Sequence, residues 1–262
     1  MIRAERHGDV VRFELSDRRS RLAGYRVSVY LVRGILIDCG FPAIAHEFTR
    51  LLDRERLRGV VVTHAHEDHA GNIEMVARRG LPIAAHPRTL ALVRAPAPIA
   101  FYRRFTWGSA TPLVSPLTPF DPEGLELIHT PGHAAGHLVA WDADTRTVFS
   151  ADLFLGVKVR ISHEYEEPRA LVKSLRRIVA LAPLRMFDAH RGGVERPMEA
   201  IQAKIDWMET TIGRMDEMIG AGASDAAISR RVLGAKDLKD IISRGEYSRL
   251  NLVRAVRRTR QA

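Results

Sequence analysis

Four short apolar runs in this chain each end in a histidine or an aspartate: GVVVTH at His64, LELIHTPGH at His133, RTVFSAD at Asp152 and LRMFDAH at His190. Strand ends along one edge of a sheet are where sites are built, because the backbone is rigid there while the loops beyond are free to vary. A chain with this pattern has to bring several strand ends together, which restricts the folds open to it. The first run continues into THAHEDH, which crowds His64, His66, Asp68 and His69 into one short stretch. His64 closes the strand, and His66, two residues on, points the same way. Asp68 and His69 fall in the tight turn that opens the next helix, where both face back toward the first pair. Neutral imidazoles and a carboxylate converging in this way invite a divalent cation, whose charge removes their mutual repulsion. Zinc suits the set, with histidine nitrogens at about 2.0–2.1 Å and carboxylate oxygens at about 2.0–2.2 Å.

The rest of the chain alternates strand and helix signals. YRVSVYLVRGILIDCG sets Val27, Val29 and Leu31 on one face at period two, turns near Arg33-Gly34 and resumes with Ile35, Leu36 and Ile37. AIAHEFTRLLDRERL reads as a helix, and AGNIEMVARRG as another closed by Gly80 just past its end. LPIAAH reads as a strand, and HLVAWDADTRTVFSAD as a hairpin turning at Asp142-Ala143-Asp144. EPRALVKSLRRIVAL is a helix with Pro168 near its first position. Residues 95–123 are rich in proline and read as a long ordered loop with little regular structure. From Pro197 the strands stop and helices follow: one over 197–220, a short one after Ser224-Asp225, and one or two more to the end. Ile201, Ile205, Met208, Ile212 and Met215 form an apolar stripe on the first, which must be buried against the body of the protein. The expected division is a domain over 1–196 that holds the histidine and aspartate cluster and a C-terminal helical extension over 197–262 packed on it.

Composition excludes several classes. One cysteine, Cys39, rules out an internal disulfide framework and reads as a small buried apolar group. No stretch approaches the roughly 20 apolar residues that span a bilayer. The start, MIRAERHGDVVRFELS, has no signal-like apolar core. The expectation is a cytoplasmic protein without a membrane partner. The net charge of +9 and pI near 10.3 raise the question of a polyanionic partner. Yet 35 of the 40 basic residues are arginine and they are spread along the chain, a pattern of GC-rich coding rather than of a phosphate-binding surface. A small-molecule substrate is therefore expected ahead of a nucleic acid. Phe101, Tyr102, Phe105 and Trp107 in the long loop would form either a pocket lid or a homodimer contact.

THAHEDH, TPGH, SAD and the AH at 189–190 resemble, in order and spacing, the motifs of the metallo-β-lactamase-fold superfamily, over about residues 24–195. The resemblance implies an α/β (α+β) fold, a four-layer αββα sandwich with two mixed sheets face to face and helices outside. It gives one metal to His64, His66 and His133 and a second to Asp68, His69 and His190, with Asp152 bridging. Asp68 and Asp152 are then catalytic residues as well as ligands, and none of these positions departs from the family pattern. Two zinc ions per chain are implied, with manganese or iron as alternatives. Two cations about 3.5–4 Å apart share a hydroxide that is nucleophilic at neutral pH. Asp38, at the end of LIDCG, is expected to support the ligands by accepting hydrogen bonds from their imidazoles or from backbone amides. His137, Lys158, Arg160 and Tyr165 are the candidate substrate contacts, with His163 beside them.

The resemblance also sorts relatives. β-Lactamases of this fold lack an aspartate at the bridging position, so Asp152 argues against antibiotic hydrolysis. The stretch between Asp152 and His190 is too short for the added domain of RNA 3′-end-processing relatives. What remains is similar to glyoxalase II and the acyl-homoserine lactonases, which implies hydrolysis of an ester, thioester or lactone. Two alternatives stand beside it. One is an oxidoreductase similar to persulfide dioxygenases, with a single iron held by two histidines and the aspartate. The other is a single-strand endoribonuclease, favoured only by the net charge, the basic end RLNLVRAVRRTRQA and the helical tail.

Overall fold

The structure is a computed structural model that describes residues 1–235 and 238–260. A hairpin of β1 (Ile2–His7) and β2 (Val10–Leu15) leads through α1 (Arg18–Leu22) to β3 (Val27–Val32) and β4 (Ile35–Ile37). Then come α2 (Ala45–Arg54), β5 (Gly59–Val62), α3 (Ile73–Arg78) and β6 (Ile83–Ala85). These strands pair in sequence order, antiparallel from β1 to β4 and parallel from β4 to β6. After α4 (Pro87–Arg94) and α5 (Phe101–Trp107), a second sheet starts with β7 (Glu126–His129), β8 (Leu138–Asp142) and β9 (Thr147–Ala151). It is completed, past β10 (Ser162–His163) and α6 (Pro168–Ala180), by β11 (Arg185–Asp188) and β12 (Gly192–Gly193). Its order is β12-β11-β9-β8-β7. The C-terminal part is α7 (Pro197–Gly220), α8 (Asp225–Ile228), α9 (Leu238–Ile242), β13 (Tyr247–Ser248) and α10 (Arg249–Thr259).

Three apolar clusters stack these elements into four layers. Between the sheets, Tyr30, Val32, Ile35 and Val61 meet Ala140, Phe149 and Phe187. The other face of the first sheet, with Val29, Leu36 and Val60, carries Phe48 and Leu51 of α2 and Ile73 and Val76 of α3. The other face of the second, with Ile128, Val139 and Trp141, carries Leu175 and Ile178 of α6 and the Ile201–Met215 stripe of α7. The result is an αββα sandwich. Its inner strands are covered on both sides, so β5 and β9 are buried along their whole length. That is why they read as unbroken apolar runs and not as an in–out alternation. Each fully buried aliphatic or aromatic side chain contributes about 1.5–3 kcal/mol.

The structure departs from the sequence expectations in two places. Residues 95–123 are not a loop of little regular structure, because FYRRFTW forms α5. The prolines lie outside this stretch, Gly108 at φ 89° ends it, and Trp107 packs on Phe41 with ring centroids 5.0 Å apart. Strands also do not stop at Pro197: β13 pairs antiparallel with β10, Ser162 opposite Ser248 and His163 opposite Tyr247. A two-residue ladder between distant segments leaves no periodic signal. No helix among the described residues is long and apolar enough to cross a membrane.

Candidate metal centre

β4 and β5 run parallel, as do β7, β9 and β11 by way of β8. The carboxyl ends of both groups meet, and the Leu138 N–H donates to the Thr63 carbonyl at 2.8 Å to tie the sheets there. Asp38 follows β4, His64 follows β5, His133 follows β7, Asp152 follows β9 and His190 follows β11. Asp38 and Ala151 adopt φ of 67° and 43°. Left-handed backbone costs a non-glycine residue on the order of 1–2 kcal/mol, and here it turns the Asp38 and Asp152 side chains into the site. Gly132 of TPGH has φ 137°, and a Cβ there would run into the backbone of Leu171. Gly132→Ala is therefore expected to cost roughly 2 kcal/mol or more, read as a lower thermal midpoint with loss of bound metal, since His133 is its neighbour.

Eight donor atoms converge at this edge. His64 Nε2 and His133 Nε2 lie 3.0 and 3.1 Å from His66 Nδ1. Asp152 Oδ2 stands 4.0 Å from His64 Nε2 and 3.4 Å from His133 Nε2. The other oxygen of that carboxylate, Oδ1, is 3.3 Å from His69 Nε2 and 3.4 Å from His190 Nε2. Asp68 Oδ2 completes the second set at 3.8 and 3.6 Å from the same two nitrogens. Donors about 2.0–2.1 Å from a common tetrahedral centre stand about 3.3–3.4 Å from one another, and the separations here run from 3.0 to 4.0 Å around that value. His69 Nε2 and Asp152 Oδ1 are also buried with no hydrogen-bond partner. Such orphaned groups are costly, and a cation satisfies them. The residues present fit metal binding, in one group of His64, His66, His133 and Asp152 and another of Asp68, His69 and His190.

The far side of each imidazole is held as well. His69 Nδ1 donates to Asp38 Oδ2 at 2.7 Å, and the Thr63 N–H and hydroxyl donate to the same carboxylate at 2.8 and 2.9 Å. The Thr63 hydroxyl in turn accepts from His64 Nδ1 at 3.1 Å, which leaves His64 Nε2 free to ligate. His66 Nε2 meets the Tyr165 hydroxyl at 2.6 Å, and His190 Nδ1 the Arg26 carbonyl at 2.8 Å. His133 Nδ1 faces Glu166 at 3.6 Å. Such partners fix tautomer and ring orientation. Asp38→Ala is accordingly expected to weaken metal binding roughly 10–100-fold, measured by competition with a chromophoric chelator. Unchanged affinity would show that Asp38 does not orient the second set.

Charge is divided unevenly. Burial, reinforced by the neighbouring imidazoles, pushes His64 and His66 well below the usual histidine range, so both are neutral donors. Burial acts the same way on His69 and His190, but the Asp152 and Asp68 carboxylates outweigh it. They raise His69, with help from Asp38, well above that range and His190 up to about 9. Asp152 is pushed up by burial, yet His69 and His190 hold it well below the carboxylate range. The acids of the second set thus draw positive charge onto their histidines, the charge that a cation supplies.

Residues 22–191 match the family model of the metallo-β-lactamase superfamily. The chain belongs to that superfamily. The beta-lactamase-like protein 2 homolog of Caenorhabditis elegans is 25% identical over 215 residues, covering 74% of this chain and 68% of the relative. A beta-lactamase domain protein from Burkholderia ambifaria shares the fold at a TM-score of 0.70 and 17% identity, covering 97% of this chain and 86% of that one. The di-iron-bound form of TTHA1623 superposes at 0.53 with 28% identity over 67% of this chain and 92% of that chain.

Over the metallo-β-lactamase-type donors opens a cleft of about 610 Å³, within the span of about 300–1,000 Å³ usual for small-molecule sites. Lys158 and Arg160 line it together with Arg103, Trp107 and Arg191. Tyr165 is off its wall and reaches the site through His66. His137 does not face the cleft at all. It is fully buried behind His64 and His133, with Nδ1 2.8 Å from the Thr130 hydroxyl, and burial together with His133 pulls it down to about 3. Sequence reasoning missed Glu67 and Arg103. The Arg103 guanidinium binds both Glu67 oxygens at 2.6 and 2.5 Å and donates to Glu246 at 3.0 Å, tying α5 and the C-terminal segment across the cleft. Glu67 stood within HEDH, between two ligands, whereas nothing near Arg103 in the chain marks it.

Proposed function

We propose that this chain is a binuclear zinc-dependent hydrolase of a small ester, thioester or lactone, with 1–196 as the catalytic unit and 197–262 as an extension lying on it. The observation that carries the reading is the disposition of the two Asp152 oxygens, one toward each donor set. A pair of divalent cations supplies there a nucleophile from water at neutral pH and offsets the charge that develops on a substrate carbonyl. The chain's own groups do the rest. Asp38, Thr63, Glu166 and the Arg26 carbonyl keep the imidazoles aimed. Arg103 holds α5 against the C-terminal segment and narrows the cleft. Lys158, Arg160 and Arg191 face the cleft without an ion pair to any described residue, and so favour an anionic or strongly polarised acyl substrate. Cys39 is fully buried, with its thiol pushed up by burial, and offers no nucleophile.

A dioxygenase with a single iron held by two histidines and Asp152 leaves the closure of Asp68, His69 and His190 into a second set without a purpose. The binuclear reading accounts for both sets, and TTHA1623, a relative with two irons, sets iron beside manganese as the alternative to zinc. A nucleic-acid substrate is disfavoured by the use already made of the basic end. Arg257 pairs with Asp225 at 2.7 Å, Arg254 lies 3.9 Å from the same acid, and Arg258 donates to the Glu164 carbonyl at 2.9 Å. A generic single-stranded oligonucleotide is expected not to bind at physiological salt. A tight complex that weakens steeply with salt and disappears when Arg254, Arg257 and Arg258 are neutralised would reverse the ranking. The central test is a panel of esters, thioesters and lactones offered to protein loaded with zinc, manganese or iron. Metal-dependent hydrolysis supports the proposal; oxygen uptake without hydrolysis contradicts it.

A further inference from the structure

Within the apolar stripe of α7 stands one charged residue. Ile201, Lys204, Ile205 and Met208 share one helical face, and Lys204 is 2% exposed. A lysine in that position is expensive to bury, and its surroundings do little to offset the cost. The ammonium lies 5.4 Å from the centroid of the Phe154 ring and makes no hydrogen bond or ion pair to any described residue. It borders an inner chamber of about 30 Å³ that shares His133 and Asp152 with the main cleft and so lies directly behind the metal centre. On the same wall, Ser162 is 2% exposed and its hydroxyl is buried with no partner. Two buried polar groups without partners thus converge on one small space, which is otherwise walled largely by Leu171, Trp207, Met208 and Leu252.

The chamber's size and donors select the ligand. A water needs about 10–15 Å³ of space open to its centre, so this chamber takes two waters or the two oxygens of one carboxylate. Phosphate and sulfate carry too many oxygens for it. Lys204 and Ser162 both donate, and a carboxylate accepts from both. Neither acid on the wall forms an ion pair with Lys204, although both lend it favourable charge. Asp152 is turned to the two donor sets, and Glu166 accepts from the His163 N–H at 3.1 Å and faces His133. Burial lowers Lys204 to about 8, with Glu166 and Asp152 working against it.

We propose that Lys204 and Ser162 form a carboxylate subsite at the inner end of the cleft, directly behind the metal centre. The carboxylate has two sources: one borne by the substrate, or the acid that hydrolysis of an ester, thioester or lactone releases. Only this choice of source rests on the hydrolase reading; the subsite itself does not.

The test is calorimetric binding of propionate to the zinc-loaded and metal-free protein, in wild type, Lys204→Met and Ser162→Ala. Propionate is expected to bind both wild-type forms, about tenfold or more weaker in Lys204→Met and measurably weaker in Ser162→Ala, with thermal midpoint and metal content retained. If Lys204→Met does not fold, Ser162→Ala reads the same subsite. Absence of binding to wild type, or equal affinity in the folded variants, overturns the proposal. Two kinetic arms separate the sources. A substrate-borne carboxylate lowers KM relative to a neutral isostere, and Lys204→Met erases that gap. A product acid instead inhibits competitively, and Lys204→Met relieves the inhibition. Lys204-dependent propionate binding in a protein that hydrolyses no ester upholds the subsite while the hydrolase reading falls. Ester hydrolysis with Lys204-independent binding does the reverse.

Discussion

Asp152→Ala is expected to reduce turnover by about 10³-fold or more while leaving a cooperative thermal melt. Removing a single preorganised electrostatic stabiliser costs about 10²–10³-fold in an enzyme site. Asp152 supplies one oxygen to each donor set, so its loss also weakens both metal positions. Folding depends on it far less. The preceding strand, Thr147–Ala151, is buried throughout and builds the core, so the fold does not rest on this one side chain. The measurements are kcat on the best substrate of the panel and a melt followed by far-UV circular dichroism. Near wild-type turnover would show that the two sets are not joined through this carboxylate. Loss of cooperativity would give it a structural role instead.

Metal loading is expected to release protons and to strengthen steeply with pH. His190 is raised to about 9 and His69 well above the usual histidine range, so both carry a proton at neutral pH that an incoming cation must displace. In the first set His64 and His66, held low, contribute none, whereas His133, raised by Glu166 against its burial, adds to the release. Lowering the pH supplies the competing proton. Each displaced proton therefore weakens apparent affinity about tenfold per pH unit below the folded-state value. With two such histidines in one set, the second position should lose metal first on acidification, by about 100-fold per unit between roughly pH 6 and 8. Calorimetry in buffers of different ionisation heat counts the protons directly. Loading that releases none, and that is flat with pH, would contradict this electrostatic account.

The donor set was legible because most of it is local: His64, His66, Asp68 and His69 follow one strand, and their chemistry does not depend on distant packing. The later donors were legible because strands buried on both faces end where the apolar run ends. Asp38 could be read in the same way, from its place after Ile35–Ile37. What escaped depends on contacts between distant segments. α5 was hidden by the prolines that flank it, and Trp107 against Phe41 holds it in place. The Arg103–Glu67 pair joins residues 36 apart. Lys204 reads as one charge in a long helix until α7 is laid over the second sheet and its face becomes the wall of a chamber. His137 belongs to the same group: its neighbours in TPGHAAGH suggest the pocket, and only the packing behind His64 and His133 shows that it faces away from it.

Elemental analysis of the protein purified after expression in metal-replete medium distinguishes a paired metal site from a single one. About two transition-metal ions per chain are expected, falling to one or fewer in Asp152→Ala. Absence of metal, or a single ion whose occupancy is indifferent to both Asp152→Ala and Asp68→Ala, would contradict the paired site.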